Sequence, residues 1–111
     1  VTVPGGTDVC ALADVAIDSA IVVALGAAYG RSEIIVVRDA AGVRGYNNVC
    51  PHLPLPLNID RRIYAHAGEV YCDHHYAAFR FSDGLCTAGA CVGEALTAIP
   101  LRVVGERVTV A

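Results

Sequence analysis

The sequence predicts an all-β domain, an antiparallel sandwich or barrel, and three observations carry that expectation. Apolar, β-branched runs recur along the 111 residues, and such residues suit a pleated, half-buried surface. Turn signals separate the runs at the roughly 8–12-residue spacing of β-sandwiches and barrels. No stretch shows a clean amphipathic pattern of helical length. The length suits one compact domain, 1–111, able to bury a core without a staple.

The elements follow in chain order. Residues 9–13 and 20–25 read as the first two strands. The apolar residues of 11–28 also fit a helix. However, Gly26 and Gly30 interrupt it, and Ile21-Val22-Val23 favours a strand. Residues 33–38 and 43–49 form a hairpin about Asp39-Ala40-Ala41-Gly42. Pro54 and Pro56 make 50–57 a loop, because neither can donate to a ladder. A second hairpin, 62–65 with 69–72, turns at Ala67-Gly68. Residues 78–81 make a short strand ending at Ser82-Asp83-Gly84, and the Gly-rich 84–93 reads as a loop. The last hairpin pairs 96–103 with 107–110 around Gly105-Glu106.

Composition narrows the function classes. Hydrophobic residues at 55% against 17% charged exclude a disordered or solvating chain. A net charge of -3 without any Lys/Arg run argues against nucleic acid and anionic membranes as partners. The longest charge-free apolar run, about 19–30, lies between Asp18 and Arg31. It falls short of the ~20 apolar residues of a membrane span. Residues 1–8 show neither a basic n-region nor an apolar h-region, so no signal peptide is expected and the expected location is cytoplasmic.

Five Cys and four His are many metal-ligating groups for so short a chain. An odd Cys count forbids complete internal pairing, and metal binding explains the thiols better than a disulfide framework. Two clusters stand out: Cys50-Pro51-His52, and Cys72-Asp73-His74-His75 with Cys72 and His75 spaced C-x2-H. Each offers one thiolate and one imidazole at a strand–loop junction, and the hairpin between them can bring the loops face to face. Such a set suits tetrahedral zinc or a 2Fe-2S cluster with Cys on one iron and His on the other.

The pattern C-x-H followed after a hairpin by C-x2-H resembles the ligand signature of the Rieske 2Fe-2S proteins, most closely their small soluble ferredoxins. The approach strand Tyr46-Asn47-Asn48-Val49, the continuation Pro54-Leu55-Pro56-Leu57, the aromatic Phe79 and the turn Asp83-Gly84 match as well. The resemblance implies a Rieske-type antiparallel sandwich or barrel, with a cluster-binding subdomain built on loops at about 50–57 and 72–79. It implies one 2Fe-2S cluster, with Cys50 and Cys72 on one iron and His52 and His75 on the outer iron near the surface. Tyr76 departs from the family's usual Gly. In the high-potential, quinol-oxidising branch, cysteines that form a disulfide stand where this chain has Leu55 and His74. That branch also has Ser and Tyr donors where this chain has Ala77 and Phe79.

The resemblance therefore implies a one-electron carrier rather than an enzyme. Its partners would be an NAD(P)H- or flavin-linked ferredoxin reductase and a terminal oxygenase or other redox enzyme. One rival is the Rieske portion of a ring-hydroxylating oxygenase, for which the chain offers no spare two-His, one-carboxylate iron site. Another is a zinc-stabilised binding module, which would be colourless. His74 reads as a surface side chain and His66 as a solvated turn residue. Cys86 and Cys91 lie in the loop 84–93, which the resemblance would place over the cluster as a third loop; the two thiols either pair there or, the preferred reading for a reducing compartment, stay free as small buried side chains. Cys10 reads as a small core residue. Leu53, Pro54, Leu55 and Pro56 read as an apolar cap over the cluster.

Overall fold

The computed structural model describes residues 3–25, 33–51, 55–60, 62–74 and 76–111. Among them, eleven strands form three antiparallel sheets. The first sheet joins β1 (Asp8–Ala11), β11 (Arg107–Val110) and β10 (Leu101–Val104), in that order. The second runs β2 (Ser19–Ala24), β3 (Glu33–Asp39), β4 (Gly42–Asn47) and β9 (Ala98–Ile99). The third runs β5 (Tyr64–His66), β6 (Glu69–Tyr71), β7 (Ala78–Arg80) and β8 (Cys86–Ala88). The expected all-β, antiparallel architecture is therefore the observed one.

Strand β3 is the keel. Its run Ile34-Ile35-Val36-Val37 is wholly buried, the mark of a strand covered on both faces. Ile34 and Val36 join Val9, Cys10, Val15, Val108 and Val110 in one apolar cluster, against the first sheet. Ile35 and Val37 join Tyr46, Leu57, Val70, Phe79 and Leu96 in another, against the third sheet. Period-2 alternation on one strand thus splits the core in two. The second of these cores lies under the loops that follow β4 and β6.

Four details correct the sequence reading. The first strand ends at Ala11, not 13, because Leu12–Asp14 make a 3-10 turn. The Asp14 carboxylate accepts the Ala11 N–H at 3.1 Å, and the Arg38 guanidinium donates to the Leu12 and Val15 carbonyls. The strand expected at 96–103 is two strands in different sheets, β9 beside β4 and β10 beside β11. Pro100 stands between them, and without an N–H it cannot continue a ladder. The loop expected at 84–93 contains β8, and the strand expected at 62–65 is β5, Tyr64–His66.

The turn before β8 is held by a surface ion pair. Arg80 and Asp83 meet at 2.6 Å, and Asp83 also accepts the Leu85 N–H at 3.0 Å. The guanidinium bond, with this backbone bond second, holds the Asp83 carboxyl down at about 2. A depressed carboxylate contributes stability above its unfolded value and loses it as pH falls through the folded one. Acid titration of stability between about pH 4 and 2 should therefore be shallower in Asp83→Asn than in the wild type. Identical acid limbs would show that the pair contributes nothing. Next to it, Gly84 is required: its φ is +73°, and a Cβ would lie 2.8 Å from the Tyr46 ring. That ring is anchored by its hydroxyl, which donates to the Phe81 carbonyl at 2.7 Å.

Candidate metal centre

Both predicted thiolate ligands stand where a strand of the core gives way to a loop. Cys50 follows β4 by three residues and Cys72 follows β6 directly. They are 4% and 1% exposed and belong to the same apolar cluster. The other two predicted ligands, His52 and His75, lie outside the described residues, as do Leu53 and Pro54 of the expected apolar cap.

Backbone bonds close each loop on itself. The Cys50 N–H donates to the Leu55 carbonyl at 2.8 Å, and the Cys72 N–H to the Ala77 carbonyl at 2.8 Å. The Tyr76 N–H returns to the Cys72 carbonyl at 2.7 Å. The two loops are also tied to each other. The Asp73 N–H donates to the Leu57 carbonyl at 2.7 Å, and the Asp73 carboxylate accepts the Ile59 N–H at 3.0 Å. His74 Nε2 donates to the Pro56 carbonyl at 2.9 Å. The side chain read from sequence as a surface feature is partly exposed and also straps the two loops together.

Sequence reasoning missed Asn48. It is 3% exposed, the one buried polar side chain among the described residues. Its Oδ1 accepts the N–H of the fully buried Leu57 at 2.9 Å, and its Nδ2 donates to Asn58 Oδ1 and Glu33 Oε1. The residue therefore pins the far end of loop one back to the strand that leads into Cys50. The available signal was its place, an amide at a strand end two residues before a ligand candidate.

Tyr76 shows what the departure from Gly does. Its φ is +57°, in the left-handed region, while its side chain is 78% exposed. The loop has kept the backbone that favours Gly and placed an aromatic on it. A left-handed L-residue costs about 1–2 kcal/mol, offset in part by the roughly 0.5–1 kcal/mol of chain entropy that Gly would lose. Tyr76→Gly should then stabilise the protein by about 0.5–1 kcal/mol in chemical denaturation. A variant no more stable than the wild type would show that the site carries no strain.

A third loop, residues 89–93 after β8, packs against the second. Gly89, with φ +100°, lies so close to Ala77 that a Cβ there would meet the Ala77 Cα at 2.8 Å. Cys91 and Cys86 share the apolar cluster of Cys50 and Cys72. Burial, then contact with Cys86, then negative charge at Cys86 and Cys50 push the Cys91 thiol up to about 12. Cys10 lies in the other apolar cluster, where burial also raises its thiol.

Two buried thiols at the roots of strapped loops are the soft donors that iron–sulfur or zinc sites use. The family model for the Rieske [2Fe-2S] domain matches residues 7–102. The chain belongs to the Rieske 2Fe-2S family. Its cofactor is accordingly one 2Fe-2S cluster, and the buried thiols on the two loops fit that group. No curated protein matches the sequence. Among solved structures, the Rieske chain is similar to the ferredoxin of carbazole 1,9a-dioxygenase from Nocardioides aromaticivorans IC177. The identity is 26%, the match covers 95% of each chain, and the TM-score is 0.71. It is also similar to the terminal oxygenase of carbazole 1,9a-dioxygenase from Novosphingobium sp. KA1, at 20% identity and TM-score 0.75. That match takes in 93% of this chain and 28% of the oxygenase. A third likeness is to a complex of reduced oxygenase and oxidized ferredoxin in carbazole 1,9a-dioxygenase. There the identity is 20%, the coverage 94% of this chain and 90% of the other, and the TM-score 0.75. The fold is thus that of Rieske ferredoxins of dioxygenase systems.

Proposed function

We propose that this chain is a Rieske-type ferredoxin, a one-electron carrier between an NAD(P)H- or flavin-linked reductase and a terminal oxygenase or other redox enzyme. The observation that carries the reading is the match over 95% of both chains with a ferredoxin of a dioxygenase. In this reading, the whole of 1–111 serves one Rieske domain, with Cys50 and Cys72 holding one iron and His52 and His75 the other. The cluster supplies reversible one-electron chemistry. The chain's own residues shield and position it: Leu57, Ala77 and Phe79 pack beneath the loops, and Asp73, His74 and Asn48 hold them in register. The carrier itself makes and breaks no substrate bond. The interface for such a partner is small and transient, often below ~1,200 Å². No helix among the described residues is long and apolar enough to cross a membrane, and we assign the carrier to the cytoplasm.

The redox poise tests the reading. Donors to the cluster sulfurs raise the potential, because they stabilise the extra negative charge of the reduced state. Ala77 and Phe79 are buried and have no side-chain donor to give. The potential should lie at about -150 to -50 mV, the low end of the ~ -150 to +300 mV Rieske range. Ala77→Ser should raise it where the new hydroxyl reaches a sulfur. Protein-film voltammetry giving a value above about +100 mV would show that donors other than these two side chains set the potential, and would remove the argument for a low-potential carrier. Stopped-flow mixing with a flavin-linked ferredoxin reductase and NADH should then bleach the oxidised spectrum, and a terminal oxygenase should restore it. Failure of both exchanges would refute the carrier role.

A further inference from the structure

We propose that Cys86 and Cys91 form a thiol–disulfide couple that staples the third loop, oxidised by exchange with a small-molecule disulfide. The two Sγ atoms lie 3.2 Å apart, and both residues are almost wholly buried. A disulfide measures ~2.05 Å, so closure asks for an approach of roughly 1.1 Å, within reach of small side-chain rotations. The backbone already holds the two arms together through one residue. The Cys86 N–H donates to the Glu94 carbonyl at 2.8 Å, and the Glu94 N–H donates to the Cys91 carbonyl at 2.9 Å. The Cys86 thiol also reaches the Ala88 carbonyl at 3.1 Å, inside the loop that a bridge would close. Neither sulfur is needed as a metal ligand, so the pair is available for chemistry of its own. Gly89 sits between the two cysteines and rests on Ala77 of the second loop, so a bridge would brace the contact between those loops.

The reaction balances as two exchanges. One cysteine, as thiolate, attacks a sulfur of the external disulfide, breaks its S–S bond and releases one thiolate, which takes up the proton. The second cysteine then attacks the resulting mixed disulfide at the protein sulfur and releases the second thiol. Two electrons pass from the protein sulfurs to the reagent, and two thiols leave. Because both sulfurs are buried, exchange runs through an opened form of the loop between Gly89 and Gly93 and is slow. A dithiol reductant reverses it.

The test uses the holoprotein in buffers of rising oxidised-to-reduced glutathione ratio, quenched in acid, denatured, alkylated and digested with trypsin. The tryptic fragment 81–102 contains Cys86 and Cys91 and none of the other cysteines. The expected result is loss of both its alkylation sites together, leaving a fragment lighter by two hydrogens than the unmodified dithiol. Cys10 should stay alkylatable, and dithiothreitol should restore both sites. The midpoint of thermal unfolding should rise on bridging, and Cys91→Ser should show no such rise. Fragment 81–102 remaining doubly alkylated in the most oxidising buffer would overturn the proposal. So would glutathione carried on either cysteine without a link. The wild-type fragment decides the matter even where Cys91→Ser folds poorly.

Discussion

Cys72→Ala is expected to purify as a colourless protein, with iron and acid-labile sulfide at background. Cys72 is 1% exposed at the end of β6, and its N–H is already committed to closing loop two on Ala77. The residue therefore presents its sulfur from a fixed backbone, and no other described cysteine replaces it. Cys10 belongs to the opposite apolar cluster, and Cys91 lies against Cys86 at 3.2 Å. Cys50→Ala should behave in the same way. The strands should survive with reduced stability, since the apolar cluster on one face of β3 contains neither ligand cysteine, whereas Cys50 and Cys72 are members of the other. Circular dichroism should therefore retain its β signal while the visible bands vanish. Histidines make the sharper comparison. His75→Ala should bleach the protein. His74→Ala should keep the visible spectrum but lose iron faster to a chelator, because it removes only the strap from Nε2 to the Pro56 carbonyl. Stoichiometric iron in Cys72→Ala would overturn the assignment. Bleaching in His74→Ala, with His75→Ala unharmed, would move the ligand one residue along loop two.

Much of this fold is legible because its signals are local. The run Ile34-Ile35-Val36-Val37 announces a buried strand by itself, and Ala67-Gly68 announces a tight turn. In the structure both turn residues have positive φ, at +52° and +78°, as a two-residue hairpin turn of that hand requires. The family is legible for the same reason, its pattern being a spacing of reactive residue types. What escaped notice depends on distant partners. Strand β8 is Cys86-Thr87-Ala88, too short to show a period, and it exists because β7 offers an edge, with a bulge at Ala78/Phe79. Only a prolyl residue separates β9 from β10, yet they serve different sheets, a choice that β4 and β11 make for them. Asn48 escaped for a like reason, since its three partners are 9, 10 and 15 residues away. The contact between Cys86 and Cys91 likewise needs Glu94 to set it.

Asn48→Ala should be among the most damaging single changes outside the ligands. The amide orientation is fixed by its neighbours: Leu57 N–H needs an acceptor, so Oδ1 faces it, and Nδ2 is left for Asn58 Oδ1 and Glu33 Oε1. Removing it strands the Leu57 N–H in a fully buried place. An unsatisfied buried donor costs about 1–3 kcal/mol, and each ordinary hydrogen bond lost adds about 0.5–1.5 kcal/mol. Asn58 and Glu33 are less buried and recover part of that from water, so the expected total is roughly 2–4 kcal/mol. Asn48→Asp separates the contributions. It keeps an acceptor for Leu57 but has no donor, and it sets a carboxylate beside Glu33 Oε1, so it should be no better than the alanine variant near neutral pH. Cys50 lies two residues on, so both variants should release iron to a chelator faster than the wild type, while the Cys72 side keeps its own hydrogen bonds. Chemical denaturation checks the first expectation, and the time course of iron release checks the second. An Asn48→Ala protein within about 0.5 kcal/mol of wild type, the range of an ordinary surface change, would mean that loop one is held by its backbone bond from Cys50 to Leu55 and not by the amide.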